Sequence, residues 1–194
     1  MEYALDIDGA PETVPGGTGI LLLHPSTGET DRIDTDFLKS DTDRFLVVST
    51  RTTAREVSQK LEHYDVDERC ADILDTLSIE RGYSRRSKDH VSYVSAPDHV
   101  DGIVAGVADF LERTDGKRRL SFDSLTELAY YADEDEALTA AERILDLLAD
   151  EDAVGLFHLS VEVHDQDVLD EFATLFDVVI ELDEDGTTSV DVDA

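Results

Sequence analysis

The chain has 194 residues, enough for one domain with a substantial core and too few for two comfortable ones. Asp and Glu total 47 against 16 Lys and Arg, which gives a formal net charge of -31, and the acids run along the whole chain. This balance excludes nonspecific nucleic-acid binding, which needs clustered cations. It indicates adaptation to a cytoplasm at molar salt, where ions screen charges beyond about 3 Å.

The single cysteine, Cys70, excludes a disulfide within the chain and is typical of a reducing compartment. No apolar stretch approaches the roughly 20 residues that a membrane-spanning helix needs. The acidic N-terminus is also unlike a signal peptide. We therefore expect a cytoplasmic protein that contacts neither membranes nor nucleic acid.

Short apolar runs alternate with amphipathic stretches along the chain. Residues 1–17 are polar and rich in Pro and Gly, which predicts an N-terminal arm, and residues 18–194 predict a single domain. Continuous apolar runs predict buried strands over Gly19–His24, 45–50, 73–80, 119–123 and 153–161. Helical periodicity predicts helices over Asp31–Lys39, 53–64, Val100–Arg113, 126–149 with a break near 133–135, and 167–176. A polar loop is expected over 81–92, and a terminal hairpin over Val178–Leu182 and 187–192.

Strands that alternate with helices predict a three-layer α/β domain with a central, mostly parallel sheet and a C-terminal β-hairpin. Ligands of such sheets bind outside the carboxyl ends of the strands. The segments that follow His24, Thr50, Asp123 and Val161 are therefore the places where a site is expected.

The segment after the first predicted long strand reads His-Pro-Ser-Thr-Gly-Glu-Thr, over residues 24–30. A phosphate-binding loop reads G-x-x-x-x-G-K-[ST]; its amides and Lys hold phosphates and its hydroxyl binds magnesium. Ser26, Thr27, Gly28 and Thr30 fit parts of this pattern, but the first Gly is missing and Glu29 replaces the Lys. The segment alone is equally compatible with an ordinary strand-to-helix turn that has no ligand.

Three further segments resemble those of a known family. Residues 119–126, Arg-Leu-Ser-Phe-Asp-Ser-Leu-Thr, resemble the strand end of RecA-type ATPases, although Asp123 could instead cap the next helix. Residues 46–51 resemble the second strand of KaiC-like domains, and residues 176–182 resemble a late strand. Taken in order these matches span residues 18–184, and the chain resembles the degenerate RecA/KaiC-like P-loop ATPases of halophilic archaea.

The resemblance implies a nucleotide site in which Asp123 holds magnesium through water. It also implies one or two Glu after the second strand, where this chain has Thr50, Arg51 and Thr52. With the Lys and Glu missing, we expect no catalytic residue, no metal and no cofactor. The expected site is a vestigial one formed by Ser26, Thr27, Gly28, Thr30 and Asp123. The expected function is that of a non-hydrolysing pseudo-ATPase, regulatory or scaffolding, whose partner is a protein, either itself or an active paralogue.

Two alternatives stay open. The same residues could bind ATP and magnesium weakly, or hydrolyse ATP slowly, with Arg51 as a cation borrowed from elsewhere. The chain could also be an unrelated Rossmann-like domain with a small-molecule ligand. A metal site built from His158, Glu162, His164 and Asp165 has no supporting ligand spacing, and packed or solvated histidines explain these residues better.

Overall fold

The structure, a computed structural model, describes residues 1–26, 30–83 and 89–192. The strands are β1 Glu2–Ala4, β2 Thr13–Pro15, β3 Gly19–His24, β4 Arg44–Ser49, β5 Ala71–Asp75, β6 Val91–Tyr93, β7 Arg118–Asp123, β8 Val154–Ser160, β9 Val178–Leu182 and β10 Thr188–Val192. The α-helices are α1 Asp31–Lys39, α2 Ala54–His63, α3 Val100–Arg113, α4 Leu125–Tyr131, α5 Glu134–Asp150 and α6 Gln166–Ala173, with a 3₁₀ turn at Glu68–Cys70. None of the helices in these ranges is long and apolar enough to cross a bilayer.

The long apolar runs form the middle of one sheet with the strand order β10-β9-β3-β8-β7-β4-β5-β6. Neighbouring strands from β9 to β6 are parallel, and β10 returns antiparallel to β9 as the second strand of the predicted hairpin. The predicted mostly parallel sheet with a C-terminal hairpin is confirmed. Its parallel arrangement brings the carboxyl ends of β3, β8, β7 and β4 to one edge.

Helices cover both faces of the sheet, because its central strands are buried on both sides. On one face α3, α4, α5 and α6 pack around Phe122 and Phe157, whose rings stack with their centroids 5.7 Å apart. On the other face α1 and α2 pack through Phe37 and Leu61. The second layer stands beside the candidate site, because α1 follows β3 and α2 follows β4.

Several boundaries differ from the prediction by one to three residues, as at the end of α6, and two segments differ more. The strand expected over 73–80 ends at Asp75, since the carboxylate of Asp75 accepts hydrogen bonds from the backbone amides of Leu77 and Ser78 at 2.8 and 2.9 Å and turns the chain. The polar loop expected over 81–92 contains the short edge strand β6 at its end. Three residues paired along one edge are too few to show a period of two in the sequence.

Tyr3 of β1 is fully buried against the domain. Its hydroxyl donates to the carbonyl of Asp152 at 2.8 Å and accepts from the backbone amide of Arg118 at 3.2 Å. The guanidinium of Arg119 lies 5.4 Å from the Tyr3 ring and 4.8 Å from the Phe37 ring. The strand β1 is therefore held by apolar, hydrogen-bond and cation–π contacts at once.

Replacing Tyr3 with Ala should lower the free energy of unfolding by about 3–5 kcal/mol, because the change empties a buried aromatic site and leaves the Arg118 amide without its acceptor. Urea denaturation at constant molar KCl measures the change. Tyr83→Ala is the matched control, since Tyr83 is exposed and its loss should cost less than about 0.5 kcal/mol. Equal losses in the two variants would contradict the assigned role of Tyr3.

Candidate functional site

The expected site residues lie where the chain leaves β3 and β7. Ser26 follows β3 by two residues, and Asp123 is the last residue of β7. Asp123 pairs in register with Ser49 of β4, and His24 of β3 pairs with Ser160 of β8. The carboxyl edge of the sheet therefore brings together the ends of four strands, as the sequence predicts.

The phosphate-loop segment is described at its two ends. Thr27, Gly28 and Glu29 lie outside the described residues. Thr30 is buried and occupies the N-cap position of α1, but its side chain makes no capping hydrogen bond. Both Ser26 and Thr30 therefore lie beside the segment where a phosphate would be expected.

A carboxylate binds the backbone amide of Ser26. The backbone amide of Ser26 donates to Glu162 Oε2 at 2.9 Å, and the Ser26 hydroxyl lies 2.7 Å from that of Ser160. Hydrogen bonding by Ser26 lowers the pKa of Glu162, which keeps this side chain ionised. The first amide after β3, which a phosphate would use, is thus bound by an anion of the chain itself.

The guanidinium of Arg51 pairs with Asp123, the residue expected to hold magnesium. Arg51 Nη2 lies 3.2 Å from Asp123 Oδ2, and the Asp123 side chain is only 7% exposed. Burial alone would lower the pKa of Arg51, but the carboxylates of Asp123 and Glu127 outweigh it and raise that pKa. Asp123 keeps one oxygen, Oδ1, buried with no hydrogen-bond partner among the described residues.

The hydroxyl groups of Ser49 and Thr50, at the end of β4 and directly after it, form hydrogen bonds within the protein. Thr50 Oγ1 accepts from the amide of Ser124 at 2.7 Å and donates to its carbonyl at 2.8 Å, and the Asp123–Ser124 peptide is cis. Ser49 Oγ donates to the carbonyl of Thr52 at 2.6 Å. Ser124 is the N-cap of α4, so the alternative reading of Asp123 as that cap is wrong.

A buried carboxylate lies beneath this edge. Asp34 of α1 is fully buried and receives Lys60 Nζ of α2 at 2.8 Å, the hydroxyl of Ser121 of β7, and His158 Nε2 of β8 at 3.3 Å. Burial would raise the pKa of Asp34, but Lys60 and His158 outweigh it and lower that pKa. In return Asp34 outweighs the desolvation of Lys60 and raises the pKa of its ammonium.

Asp34 and Lys60 were not predicted from the sequence, although their spacing from apolar residues indicates that they face the core. Asp34 precedes Phe37 and Leu38 by three and four residues, and Lys60 adjoins Leu61 and follows Val57 by three. Residues three or four apart share a helix face, so each charge sits on the apolar face of its own helix. Two opposite charges on inward faces indicate a buried ion pair.

One histidine contacts Asp34, and a second packs against the first. The rings of His24 and His158 meet edge to face with centroids 5.6 Å apart, and both side chains are buried. His24 Nδ1 lies 2.9 Å from the carbonyl of Pro25, while His24 Nε2 and His158 Nδ1 have no hydrogen-bond partner among the described residues. Burial lowers the pKa of His24 and favours its neutral form.

The residues of the candidate metal site have separate hydrogen-bond partners. His164 bonds Glu134 and Thr126 at 2.9 and 3.2 Å, His158 faces Asp34, and Glu162 faces Ser26. Within residues 1–26, 30–83 and 89–192, no group of three or more His, Cys, Asp or Glu side chains is placed to hold a metal ion.

The charges of this edge fit a magnesium nucleotide poorly. Two cations near this edge, Lys60 and Arg51, are each bound to a buried carboxylate. Asp31 and Glu127 add further negative charge that acts on Lys60 and Arg51. A triphosphate would therefore find both of these cations already paired, and anions repel it strongly in a partly dry site.

Comparison with solved structures defines the class of fold. The chain is similar to a KaiC-like protein from the hyperthermophilic archaeon Pyrococcus horikoshii OT3, with 14% identity, a TM-score of 0.65, and coverage of 99% of this chain and 87% of that one. It is similar to an ATPase of the type III secretion system of pathogenic bacteria, with 13% identity and a TM-score of 0.66 over 95% of this chain. The chain spans 57% of the length of that ATPase. The fold is that of the RecA/KaiC-like P-loop ATPases.

A third similar structure is an uncharacterized protein from Pyrococcus horikoshii in complex with an unknown peptide. It shares 17% identity and a TM-score of 0.67, over 92% of this chain and 84% of that one. The chain belongs to the family described as "Family of unknown function (DUF7090)", whose model matches residues 1–192. Among curated proteins, none matches the chain in sequence.

Replacing Lys60 with Met should lower the free energy of unfolding by about 3–5 kcal/mol at neutral pH, because it leaves the Asp34 carboxylate buried and without its cation. Adding Asp34→Asn should restore part of this loss, since the second change removes the unpaired charge. Urea denaturation at molar KCl measures both. Lys39→Met, at an exposed lysine of α1, is the control, and a loss there as large as at Lys60 would refute the argument.

Replacing His24 with Gln should make stability less dependent on pH. Burial lowers the pKa of His24, so below about pH 6.5 the unfolded chain binds this proton more readily than the folded one. The native protein should therefore lose stability as the pH falls through that range, and the variant should lose less. Urea midpoints at pH values above and below this point measure the difference. The exposed His63 gives the control variant His63→Gln, which should retain the native slope.

Proposed function

We propose that the chain is a degenerate RecA/KaiC-like protein of a salt-adapted archaeal cytoplasm that does not hydrolyse ATP and acts through contacts with other proteins. One observation carries the proposal. The two charges that a magnesium nucleotide would bring to the site are replaced by side chains of the chain, with Glu162 on the Ser26 amide and Arg51 on Asp123.

The local chemistry supports this proposal further. Phosphoryl transfer depends on a charge clamp and on a residue that orients the nucleophile. The loop after β4 carries Thr50, Arg51 and Thr52 in place of the family's Glu, and its hydroxyls are bonded within the protein. The role in protein contact is supported by the similar structure from Pyrococcus horikoshii that holds an unknown peptide.

One observation favours a second candidate, a protein that binds ATP and magnesium weakly. Asp123 Oδ1 is buried and has no hydrogen-bond partner among the described residues, and a buried oxygen without a partner costs about 1–3 kcal/mol. A water-bound cation would satisfy it if Arg51 turned away. Ser26, Thr27, Gly28 and Thr30 would then surround the phosphates.

Calorimetric titration of ATP with magnesium at molar KCl tests the proposal. The native chain should give no heat of binding at millimolar nucleotide, because its own Glu162 and Arg51 hold the two positions. The double variant Glu162→Gln, Arg51→Gln removes both side-chain charges and should gain weak binding, more so with Glu29→Lys added. Arg55→Gln is the control, since Arg55 is exposed at the start of α2, and it should behave like the native chain.

Micromolar binding of ATP by the native chain would refute the pseudo-ATPase and establish the second candidate. An assay of phosphate release would then decide between binding and hydrolysis. If the native chain does bind ATP, Arg51→Gln should weaken that binding. The pseudo-ATPase proposal instead predicts that Arg51→Gln does not weaken ATP binding.

A further inference from the structure

Three exposed apolar side chains lie where the chain leaves the carboxyl edge of the sheet. Tyr130 of α4 is 83% exposed, and Val161 and Val163, in the loop between β8 and α6, are 37% and 61% exposed. We call these three residues the rim surface. On a chain with a net charge of -31, solvation does not explain large apolar groups held in water, and such patches mark interaction sites.

One residue joins the two elements that carry the rim surface. Thr126 Oγ1 accepts from the amide of Ser160 at 2.8 Å and lies 3.2 Å from His164 Nε2, so both ends of the loop are fixed to α4. Tyr130 follows Thr126 by four residues and therefore projects from the same face of α4. His164 also bonds Glu134 at 2.9 Å, which fixes the loop to the start of α5.

The charge around the rim surface is strongly one-sided. Residues 120–194 contain 23 of the 47 acidic residues of the chain and one of its 16 Lys and Arg, Arg143. Exposed acids flank the three apolar side chains, including Asp133 and Asp135 before and within α5, and Glu162 and Asp165 in the loop. The segments that carry the apolar groups are thus rich in exposed acids and poor in cations.

We propose that the rim surface binds a basic segment of another protein, one that places an apolar side chain against Tyr130 and Val163 and Arg or Lys against the surrounding acids. Charge complementarity selects such a partner, and molar salt favours burial of the apolar anchor. The proposal rests on the proposed function in so far as that function is protein contact, and it adds where the contact is and what chemistry the partner has.

A second copy of the chain fits the rim surface less well. The other 15 Lys and Arg lie in residues 1–119, which also hold 24 acids. Among the described residues, Arg44, Lys60, Arg69, Lys117 and Arg118 are bound in ion pairs of their own. A second copy therefore brings no basic excess to pair with the acids beside the rim surface.

Selection from a random library of displayed peptides of about twelve residues, on the native chain at molar KCl, tests the proposal. The selected peptides should be enriched in Arg or Lys together with Leu or aromatic residues. Fluorescence anisotropy of a labelled, selected peptide should then show binding about tenfold weaker to Tyr130→Ser, Val163→Ser. Asp135→Asn, Asp165→Asn should weaken it several-fold, and Tyr83→Ser, at an exposed tyrosine elsewhere, should leave it unchanged.

Failure to enrich any peptide, enrichment of peptides without basic residues, or equal binding by the rim variant would overturn the proposal. So would a concentration-dependent dimer of the native chain in sedimentation that Tyr130→Ser abolishes, because the occupant would then be a second copy. The calorimetry with ATP has a separate readout. Its outcome decides the pseudo-ATPase proposal, and the peptide measurements decide the docking surface.

Discussion

The buried carboxylate of Asp34 is the point at which the layers of this protein are joined beside the candidate site. It links α1 to α2 through Lys60, and both to the central strands through Ser121 and His158. Ionised groups are rarely buried unless they are paired, so the position of each helix is constrained by a charge that must be matched. Mutual bonding offsets the cost of desolvation, and loss of one partner would leave a buried charge unmatched.

Charged groups at the carboxyl edge of the sheet are also bound to partners within the protein. Arg51 meets Asp123 and Glu162 meets the Ser26 amide, so groups that could bind a ligand are bound to each other. In a site of this kind the charged groups at the strand ends neutralise one another. The fold alone does not establish an activity, and the partners of these few side chains are what supports the proposed loss of nucleotide chemistry.

The sequence predicted the sheet, its hairpin and most helix boundaries because continuous apolar runs and helical periodicity are local signals. The helix Asp31–Lys39 and the strand Gly19–His24 have the bounds that the sequence predicts. The end of β5 was missed because it depends on the Asp75 carboxylate binding amides beyond the strand. For the site, the sequence predicted that Asp123 ends a strand, and it offered Arg51 as a cation that could bind ATP. It could not identify their direct contact, or that of Glu162 with Ser26, because these partners are 72 and 136 residues apart in the chain.

The Asp34–Lys60 pair also has a consequence for motion. Packed elements joined by a buried ion pair shift together, because separating the partners exposes two charges to a poor solvent. A displacement of α1, which begins at Asp31, is therefore transmitted to α2 on the same face of the sheet, and also to β7 and β8 through Ser121 and His158. The two helices are thus tied to each other and to the centre of the sheet by one side chain.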